Sequence, residues 1–236
     1  MSSEDLDRVP HVDSPEQVRH LSLPLDPAVA SDLCLGDAVT VTGRLFTGRS
    51  RFHIRAVKED VHPPIDYAAA NCFFHVGPVM ERIDSGWRPV SLEPTSSIRF
   101  EAYGADVIRK FGLRTLIGKT TMGPRSAQAL KEVGGVYLSK IGLCGNRLAS
   151  QIKRIEEVHF LEELGKTEAT WVLEVERMGP FFVAIDTRGE SYFELLAQDV
   201  DRATPDVYRF LGIPDTYGFT DVNPVSTDDA RGQSPE

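Results

Sequence analysis

The feature that most restricts the fold is a short apolar segment from Asn71 to Val76, followed directly by Gly77-Pro78. Successive side chains of a strand point to opposite faces of a sheet, so a strand that is apolar throughout is buried on both sides. A glycine-proline pair is a turn signal and predicts the end of the strand. The segment therefore predicts a buried strand in a sheet whose two faces are both covered.

Strand-like and helix-like segments alternate along the rest of the chain. β-Branched or apolar runs predict strands, whereas apolar residues at helical spacing before a glycine predict helices. The predicted strands cover 38–47, 71–76, 116–117, 136–138, 158–160, 171–175 and 181–185, and the predicted helices cover 106–111, 126–133 and 147–153. The last two strands flank Gly179-Pro180 and are a candidate hairpin. This mixture predicts an α/β fold with a mixed central sheet.

The two ends of the chain differ from the body in composition. The N-terminal residues are polar and contain two prolines, and the last 20 or so residues are rich in Pro, Gly, Asp and Ser. Such sequences bury too little apolar surface to hold one conformation. We therefore predict a flexible N-terminal segment over 1–22, one domain over 23–200 and a polar C-terminal tail over 201–236.

Charge and hydropathy exclude several classes of protein. The formal net charge of −9 over 236 residues argues against nonspecific binding of nucleic acid, which needs a basic surface. No apolar run approaches the roughly 18 residues of a membrane-spanning helix. The N-terminus is acidic and polar, whereas a secretory signal begins with basic residues and an apolar stretch. We therefore expect a cytoplasmic protein that contacts neither nucleic acid nor membrane.

The chain has three cysteines, Cys34, Cys72 and Cys144. An odd number with wide spacing does not predict a disulfide framework and favours a reducing compartment. Cys34 and Cys72 have apolar neighbours and are predicted to be small core residues. Cys144 lies between Gly142 and Gly145, in the only ligand-like context. Structural roles are favoured over metal ligation, and we predict no metal site in this chain.

Two arginines follow the first long predicted strand, in the sequence Gly48-Arg49-Ser50-Arg51, where a helix is expected to begin. Free amides at a helix N-terminus attract anions, and a guanidinium group matches the geometry of a carboxylate. The alternative is a solvated basic first turn. By itself the segment is a weak indication of a ligand site.

Three consecutive hydroxyl residues, Thr95, Ser96 and Ser97, follow Pro94. They can present side-chain and amide hydrogen bonds to one pocket. A helix beginning directly after Pro94 would also place Thr95 and Arg99 on one face. The alternative is that Ser96 or Ser97 caps a helix that begins near Arg99, and the sequence favours neither reading.

A lysine, Lys119, follows the short predicted strand that ends at Gly118. The following Thr120 gives a Gly-Lys-Thr sequence, but a phosphate loop also needs glycine five residues before Gly118, where the chain has Leu113. A lysine here still places a cation at the edge of a sheet, where α/β proteins often bind ligands. His75, before the Gly-Pro turn, is predicted to pack rather than to catalyse.

Taken together, these junctions place Arg49, Thr95, Arg99 and Lys119 just beyond strands. A small dicarboxylate needs several fixed cations, because each carboxylate has to be neutralised and oriented. The pattern therefore predicts a site for a small dianion.

The sequence resembles the β subunit, or C-terminal domain, of class I (iron–sulfur) fumarate hydratases and of L(+)-tartrate dehydratase. The similarity runs from about residue 23 to about residue 192. The motifs that carry it are Gly43-Arg44-Leu45-Phe46-Thr47-Gly48-Arg49, His75-Val76-Gly77-Pro78, Pro94-Thr95-Ser96-Ser97-Ile98-Arg99-Phe100-Glu101, Ile117-Gly118-Lys119, Met122-Gly123, Glu157-Val158-His159, Glu163-Leu164-Gly165 and Ala184-Ile185-Asp186-Thr187-Arg188-Gly189.

The resemblance implies a swivelling β/β/α domain that works within a hetero-oligomer. In that family the domain closes over an α module whose own cysteines hold a [4Fe–4S] cluster, so the cofactor is expected in the partner α subunit. The implied function is a hydro-lyase that hydrates or dehydrates a small dicarboxylate of the fumarate/malate or tartrate/oxaloacetate type.

The resemblance also implies roles for individual residues. Arg49, Arg99 and Lys119 match the positions that bind the carboxylates, and Thr95 matches the position proposed as general base. A threonine hydroxyl is a poor base at its ordinary pKa, so Arg99 and Lys119 would have to stabilise its alkoxide, which makes Lys119 catalytic as well. Ser96 is expected to bind the substrate and to help to position Thr95. His53 is expected to support the loop that follows the first long strand and contains Arg49.

Four departures from the family pattern carry physical consequences: Ser50, Glu93, Thr120 and Thr121. Ser50 replaces an aspartate that follows the arginine, and the two threonines replace glycines. Glu93 replaces a glycine and adds a negative charge that would repel an anionic substrate unless it points away. These departures motivate an alternative function, a non-catalytic dicarboxylate-binding or regulatory module that keeps the fold.

Overall fold

A computed structural model describes residues 18–140, 142 and 144–214. The nine strands found there are β1 (Arg19–Ser22), β2 (Ala38–Gly48), β3 (Cys72–His75), β4 (Val79–Ile83), β5 (Gly86–Ser91), β6 (Thr115–Gly118), β7 (Val136–Lys140), β8 (Ile152–His159) and β9 (Thr170–Ile185). The α-helices are α1 (Pro27–Ser31), α2 (Ser50–Ile54), α3 (Glu101–Phe111), α4 (Pro124–Val133), α5 (Gly145–Ser150), α6 (Leu161–Glu168) and α7 (Tyr192–Leu211). A π-helical turn, Arg55–Glu59, continues α2, and a 3₁₀ turn, Ser97–Phe100, leads into α3.

Five of the strands close into a ring. β2, β3, β6 and β7 pair side by side in parallel, and the long strand β9 pairs in antiparallel fashion with both β7 and β2. β1 extends the sheet beside β2, and β8 extends it beside β9. β4 and β5 form a separate two-stranded hairpin. The predicted α/β fold with a mixed central sheet is confirmed.

Two apolar clusters pack the strands and helices together. The first packs inside the closed sheet, around residues such as Leu45, Phe74 and Trp171. The second joins the outer face of the sheet to α2, α3 and α4, and includes Phe73 and Ile108. Phe73 and Phe74 point into different clusters and are both fully buried, as predicted for a strand covered on both faces.

The predicted hairpin at Gly179-Pro180 is wrong, because one continuous strand, β9, runs through it. The pairing of β9 with β2 shifts register between Val39 and Val41 and again between Val41 and Gly43. Such bulges accommodate a proline, which has no amide hydrogen for the ladder. The glycine-proline pair therefore marks an irregularity within a strand and not a turn between two strands.

The predicted helix over 147–153 is only partly right, because α5 ends at Ser150 and β8 begins at Ile152. Ile152, Ile155 and Val158 all pack against the core although they are three residues apart. The pairing of β8 with β9 shifts register twice, and each shift turns the following residues to the other face. The bulged strand therefore imitates the apolar spacing of a helix.

The two ends contain more regular structure than predicted. Residues 19–22, which we placed in the flexible N-terminal segment, form β1, because they pair with β2 and bury Leu21. The predicted polar tail over 201–236 begins with helix α7, which runs to Leu211. Ion pairs three residues apart, Arg202–Asp199 and Arg209–Asp206, support this helix. Residues 1–17 and 215–236 lie outside the described residues.

The chain divides into two units, residues 1–196 and 197–236. Every predicted site residue belongs to the first unit. The described part of the second unit, 197–214, consists of most of α7 and the short turn after it. Within the stretches that the structure describes, no helix has both the length and the apolar character needed to cross a membrane.

Candidate active site

The carboxyl ends of four parallel strands meet at one edge of the sheet. β2 ends at Gly48, β3 at His75, β6 at Gly118 and β7 at Lys140, and each strand pairs in parallel with the next. Side chains that follow these ends therefore lie along one edge, where open α/β sheets bind their ligands. Arg49 and Lys119 are the first residues after two of these ends, so the structure brings these two predicted cations to the same edge.

The segment from Pro94 to Ser97 lies between two of the strand ends. Pro94 forms a β-bridge with Val76, and the Thr95 amide donates a hydrogen bond of 2.7 Å to the His75 carbonyl. Ser96 forms a parallel bridge with Lys119, and the Ser97 amide donates to the Lys119 carbonyl at 3.2 Å. The main chain of Thr95 and Ser96 is thus fixed beside Lys119.

The serines in this segment do not cap the following helix. Ser96 occupies the N-cap position of the 3₁₀ turn, but its side chain makes no capping hydrogen bond. The Ser97 hydroxyl bonds instead to Nδ1 of His75, at 2.8 Å. Because helical structure begins only at Ser97, Thr95 precedes it, so the helical arrangement of Thr95 and Arg99 does not form.

Arg99 lies on the exposed side of the 3₁₀ turn. Its amide donates to the Ser96 carbonyl at 3.4 Å, so its main chain stays within one turn of the residue that pairs with Lys119. The main chains of the three predicted carboxylate-binding residues therefore reach the same edge, Arg49 and Lys119 directly and Arg99 through this turn.

Arg49 occupies the N-cap position of α2, as predicted for the first loop. The carboxylate of Glu168 occupies the start of this helix. Its Oε2 accepts a hydrogen bond from the Arg51 amide at 3.0 Å, and its Oε1 lies 4.0 Å from Nη1 of Arg49. Nε of Arg49 is buried and has no hydrogen-bond partner among the described residues. Arg49 therefore has one donor that no described residue satisfies.

The turn after β3 is shaped to admit the side chain of Arg49. A Cβ atom on Gly77 would lie 2.7 Å from Cδ of Arg49 and 2.5 Å from the Thr167 carbonyl oxygen. Only glycine leaves room for this close approach. The Gly-Pro turn thus serves the site by holding the arginine against the end of β3.

Two buried histidines lie behind the first loop. His53 contacts the Arg49 carbonyl through Nδ1, at 2.9 Å, and stacks on Phe100 with ring centroids 4.5 Å apart. Burial lowers the pKa of His53 to about 4, although its bond to the Arg49 carbonyl opposes the shift. Burial, and then the charge of His53, lowers the pKa of His75 as well. Both rings are therefore neutral near pH 7 and add no positive charge to the site.

Residues 1–196 match the family model described as Fumarase C-terminus. The chain belongs to this fumarase C-terminal family. It is 34% identical over 165 residues to the putative L(+)-tartrate dehydratase subunit beta of Methanocaldococcus jannaschii, covering 69% of this chain and 84% of that protein. It is 33% identical over 172 residues to the L(+)-tartrate dehydratase subunit beta of Escherichia coli K12, covering 72% and 84%.

A longer relative contains the same domain. The chain is 36% identical over 193 residues to the putative fumarate hydratase class I of Geobacillus stearothermophilus, covering 81% of this chain but only 36% of that protein. The similarity therefore spans about a third of that relative but 84% of each of the two beta subunits.

Sequence reasoning missed one cation of this family member, Lys140 at the end of β7. Gly118 and Ser139 are paired partners in neighbouring strands, so Lys119 and Lys140 follow them side by side. Nζ of Lys140 lies 2.6 Å from Oε2 of Glu93, with 10% of the lysine side chain exposed. The available signal was a second lysine directly after an apolar parallel strand. Glu93, which we expected to repel an anion, therefore has its charge paired.

The cysteines do not form a cluster site in the described part of the chain. Cys72 is buried, as predicted, and burial raises the pKa of its thiol. The prediction for Cys34 is wrong: it is exposed, because a turn held by Asp37 carries it to the surface. Cys144 is exposed as well. Among the described residues, no group of three or more His, Cys, Asp or Glu residues could hold a metal ion. The described residues therefore do not fit an iron–sulfur cluster.

Thr120, one of the two threonines in place of family glycines, has a left-handed backbone with φ of 63°. A β-branched residue is strained in this conformation. We therefore expect Thr120→Gly to raise the free energy of unfolding by about 1 kcal/mol, the difference between the strain relieved and glycine's greater freedom when unfolded. Urea unfolding measures it. Thr120→Ala keeps the strain and is expected to give no gain; an equal gain in both variants would contradict the explanation.

Proposed function

We propose that this chain is the β subunit of a heteromeric hydro-lyase that adds water to, or removes it from, a small dicarboxylate of the fumarate/malate or tartrate/oxaloacetate type. The observation that carries the proposal is the meeting of Arg49, Thr95, Ser96 and Lys119 at one edge of the sheet. Membership of the fumarase C-terminal family and the names of the relatives support it.

The cations of this edge would bind the two carboxylates of the substrate. Arg49 contributes a buried Nε donor, and Arg99 and Lys119 contribute charges that no described residue neutralises by an ion pair. Two carboxylates held by separate cations are oriented as well as neutralised. His53 supports this arrangement through its contact with the Arg49 carbonyl.

Thr95 would move the proton on the carbon beside a carboxylate. Its amide is fixed to the His75 carbonyl, and the next residue pairs with Lys119. A neighbouring positive charge favours the alkoxide over the hydroxyl and so lowers the barrier to its formation. Ser96, in the same fixed segment, would orient the substrate by its hydroxyl group.

The metal chemistry belongs, in this proposal, to another polypeptide. Because the described residues of this chain do not fit an iron–sulfur cluster, we propose that a partner α subunit carries the [4Fe–4S] cluster. The β-subunit names of the relatives support a hetero-oligomer. The odd number and wide spacing of the cysteines, which favour a reducing compartment, keep the cytoplasm as our proposed location.

The alternative, a binding module without activity, loses one of its supports. Of the four departures that motivated it, Glu93 was the one that would repel a substrate, and its charge is paired with Lys140. The proposal is tested by co-expressing the chain with the α subunit, purifying the complex with its cluster intact, and assaying fumarate hydration and tartrate dehydration. Turnover of either acid is expected. A cluster-loaded complex that binds dicarboxylates but converts none of them would instead establish the binding module.

Lys140 and Glu93 are expected to affect substrate affinity as a pair. Lys140→Met leaves a carboxylate of Glu93, half of it exposed, beside an anion site. We expect KM to rise about 10-fold, which corresponds to a repulsion of about 1.4 kcal/mol. Adding Glu93→Gln should restore KM, because the uncompensated charge is removed. Steady-state kinetics of the wild-type enzyme, the Lys140→Met variant and the double variant measures these KM values.

The matched control is Lys153→Met, which breaks a surface ion pair with Glu176 between β8 and β9. It should leave KM unchanged, since exposed pairs contribute little. If Lys140→Met raises KM and the double variant fails to restore it, Lys140 acts through contacts other than the neutralisation of Glu93.

A further inference from the structure

A buried row of hydrogen-bonding groups lies directly behind the proposed site. Oγ of Ser97 lies 2.8 Å from Nδ1 of His75 and 2.9 Å from the hydroxyl oxygen of Tyr137. The Tyr137 hydroxyl oxygen also lies 3.0 Å from the Lys119 carbonyl oxygen. All three side chains are fully buried. We call His75, Ser97 and Tyr137 the buried relay; the proposed reaction does not use any of them.

One arrangement of hydrogen atoms satisfies every contact of the buried relay. The Lys119 carbonyl can only accept, so the Tyr137 hydroxyl donates to it. Tyr137 then accepts from the Ser97 hydroxyl, and Ser97 accepts from Nδ1–H of His75. The direction is assigned from these partners, as it must be for hydroxyl and imidazole groups. It requires a hydrogen on Nδ1 of His75. Because burial lowers the pKa of His75, the ring that carries this hydrogen is the neutral Nδ1–H tautomer.

The buried relay joins the parts of the main chain that carry the proposed catalytic groups. His75 ends β3, and its carbonyl holds the Thr95 amide. Ser97 ends the Thr95–Ser96 segment, and its amide donates to the carbonyl that Tyr137 also reaches, that of Lys119. Each link ties the segment to a strand end. The separation between Thr95 and Lys119 therefore depends on groups that cannot touch a substrate.

The surroundings of the buried relay are shaped for it. A Cβ atom on Gly118 would overlap the Ser97 hydroxyl and would lie 2.7 Å from that of Tyr137. The rings of Phe73 and Phe100 each pack on His75, with centroids 4.9 Å away. In such a dry environment hydrogen bonds are stronger, and a missing partner is costly.

We propose that Tyr137 and Ser97 are positioning residues, which align Thr95 and Ser96 with Lys119 through the buried relay. The inference rests on the proposed function for its catalytic part. Misplacing a base by a fraction of an ångström lowers the rate of the chemical step more than it weakens binding of the substrate. Loss of the relay should therefore appear in kcat rather than in KM.

The test uses Tyr137→Phe and Ser97→Ala in the complex with the α subunit. We expect kcat to fall about 10- to 100-fold and KM to change less than about 3-fold. Tyr67→Phe is the matched control, because it removes a half-buried hydroxyl that also donates to a carbonyl, that of Pro63 at 2.9 Å, and that does not bond to any residue of the buried relay. It should lower the melting temperature without lowering kcat. Unchanged kcat in both relay variants overturns the inference.

A second measurement does not depend on turnover. Hydrogen exchange of the Thr95 and Ser97 amides in the full complex should become at least 10-fold faster in Tyr137→Phe, but not in Tyr67→Phe. Unchanged exchange at both amides overturns the inference, whatever the kinetics. The two proposals can fail separately. If exchange is faster in Tyr137→Phe as expected but the wild-type complex converts no dicarboxylate, the proposed function is refuted. The structural link between Tyr137 and the Thr95–Ser97 segment is then still established.

Discussion

Replacing Lys119 with methionine is expected to lower kcat/KM for a dicarboxylate at least 100-fold while the protein stays folded. Lys119 follows the end of β6, pairs with Ser96, and is half-buried without an ion-pair partner among the described residues. Losing a charged hydrogen bond to the substrate costs on the order of 3 kcal/mol, which is about two powers of ten in rate. Methionine has a similar length, so packing is largely kept. Steady-state kinetics of the assembled enzyme measures the loss.

The control for this variant is Lys131→Met, which removes an exposed lysine from the last turn of α4. It changes the net charge by the same amount as Lys119→Met, but Lys131 does not follow any of the strand ends that form the proposed site. We therefore expect kcat/KM to stay within a factor of about two. If the two variants lose activity equally, the effect of Lys119 is one of overall charge. An active Lys119→Met enzyme would remove the lysine from the proposed site.

Replacing Gly118 with alanine is expected to lower the free energy of unfolding by about 3 kcal/mol. The added methyl group overlaps the Ser97 hydroxyl and crowds that of Tyr137, both of which are fixed by their own hydrogen bonds. Overfilling a packed interior typically costs 1–3 kcal/mol, and the loss of buried hydrogen bonds adds to it. Urea unfolding of the purified full-length chain measures the change.

Gly112→Ala separates crowding from backbone strain. Gly112 ends α3 with φ of 60°, and nothing lies within 4 Å of an added Cβ atom. Its substitution should therefore cost only the left-handed penalty, about 1 kcal/mol. If Gly118→Ala is no more destabilising than Gly112→Ala, the space beside Gly118 is more adaptable than its close contacts indicate.

The sequence predicted the elements whose signals are local. β3, β6 and β7 are short runs of mainly apolar residues, β2 is a longer run rich in β-branched residues, and α3 and α4 end at glycines with positive φ. These signals depend on the steric freedom of glycine and the period of a strand, so neighbouring residues suffice to read them. From the parallel order of such strands, the meeting of Arg49 and Lys119 at one edge follows directly.

Apart from helix α7, most of what the sequence did not predict depends on pairing between distant residues. The bulges that keep β9 continuous and give β8 its helix-like spacing are set by register against β2 and by register between β8 and β9. The pairing of Lys140 with Glu93 and the capture of the Arg51 amide by Glu168 join residues far apart in the chain. No periodicity or motif in one stretch of sequence reports such contacts.

The closed ring of strands also bears on the thermodynamics of binding. β2, β3, β6, β7 and β9 are each bonded to a ring neighbour on both sides, so none can slide without breaking two ladders at once. The mutual spacing of Arg49, Lys119 and Lys140 is therefore settled when the chain folds. Under the proposed function, a dicarboxylate would meet main-chain anchors already in register, and little of its interaction energy would be consumed in ordering them.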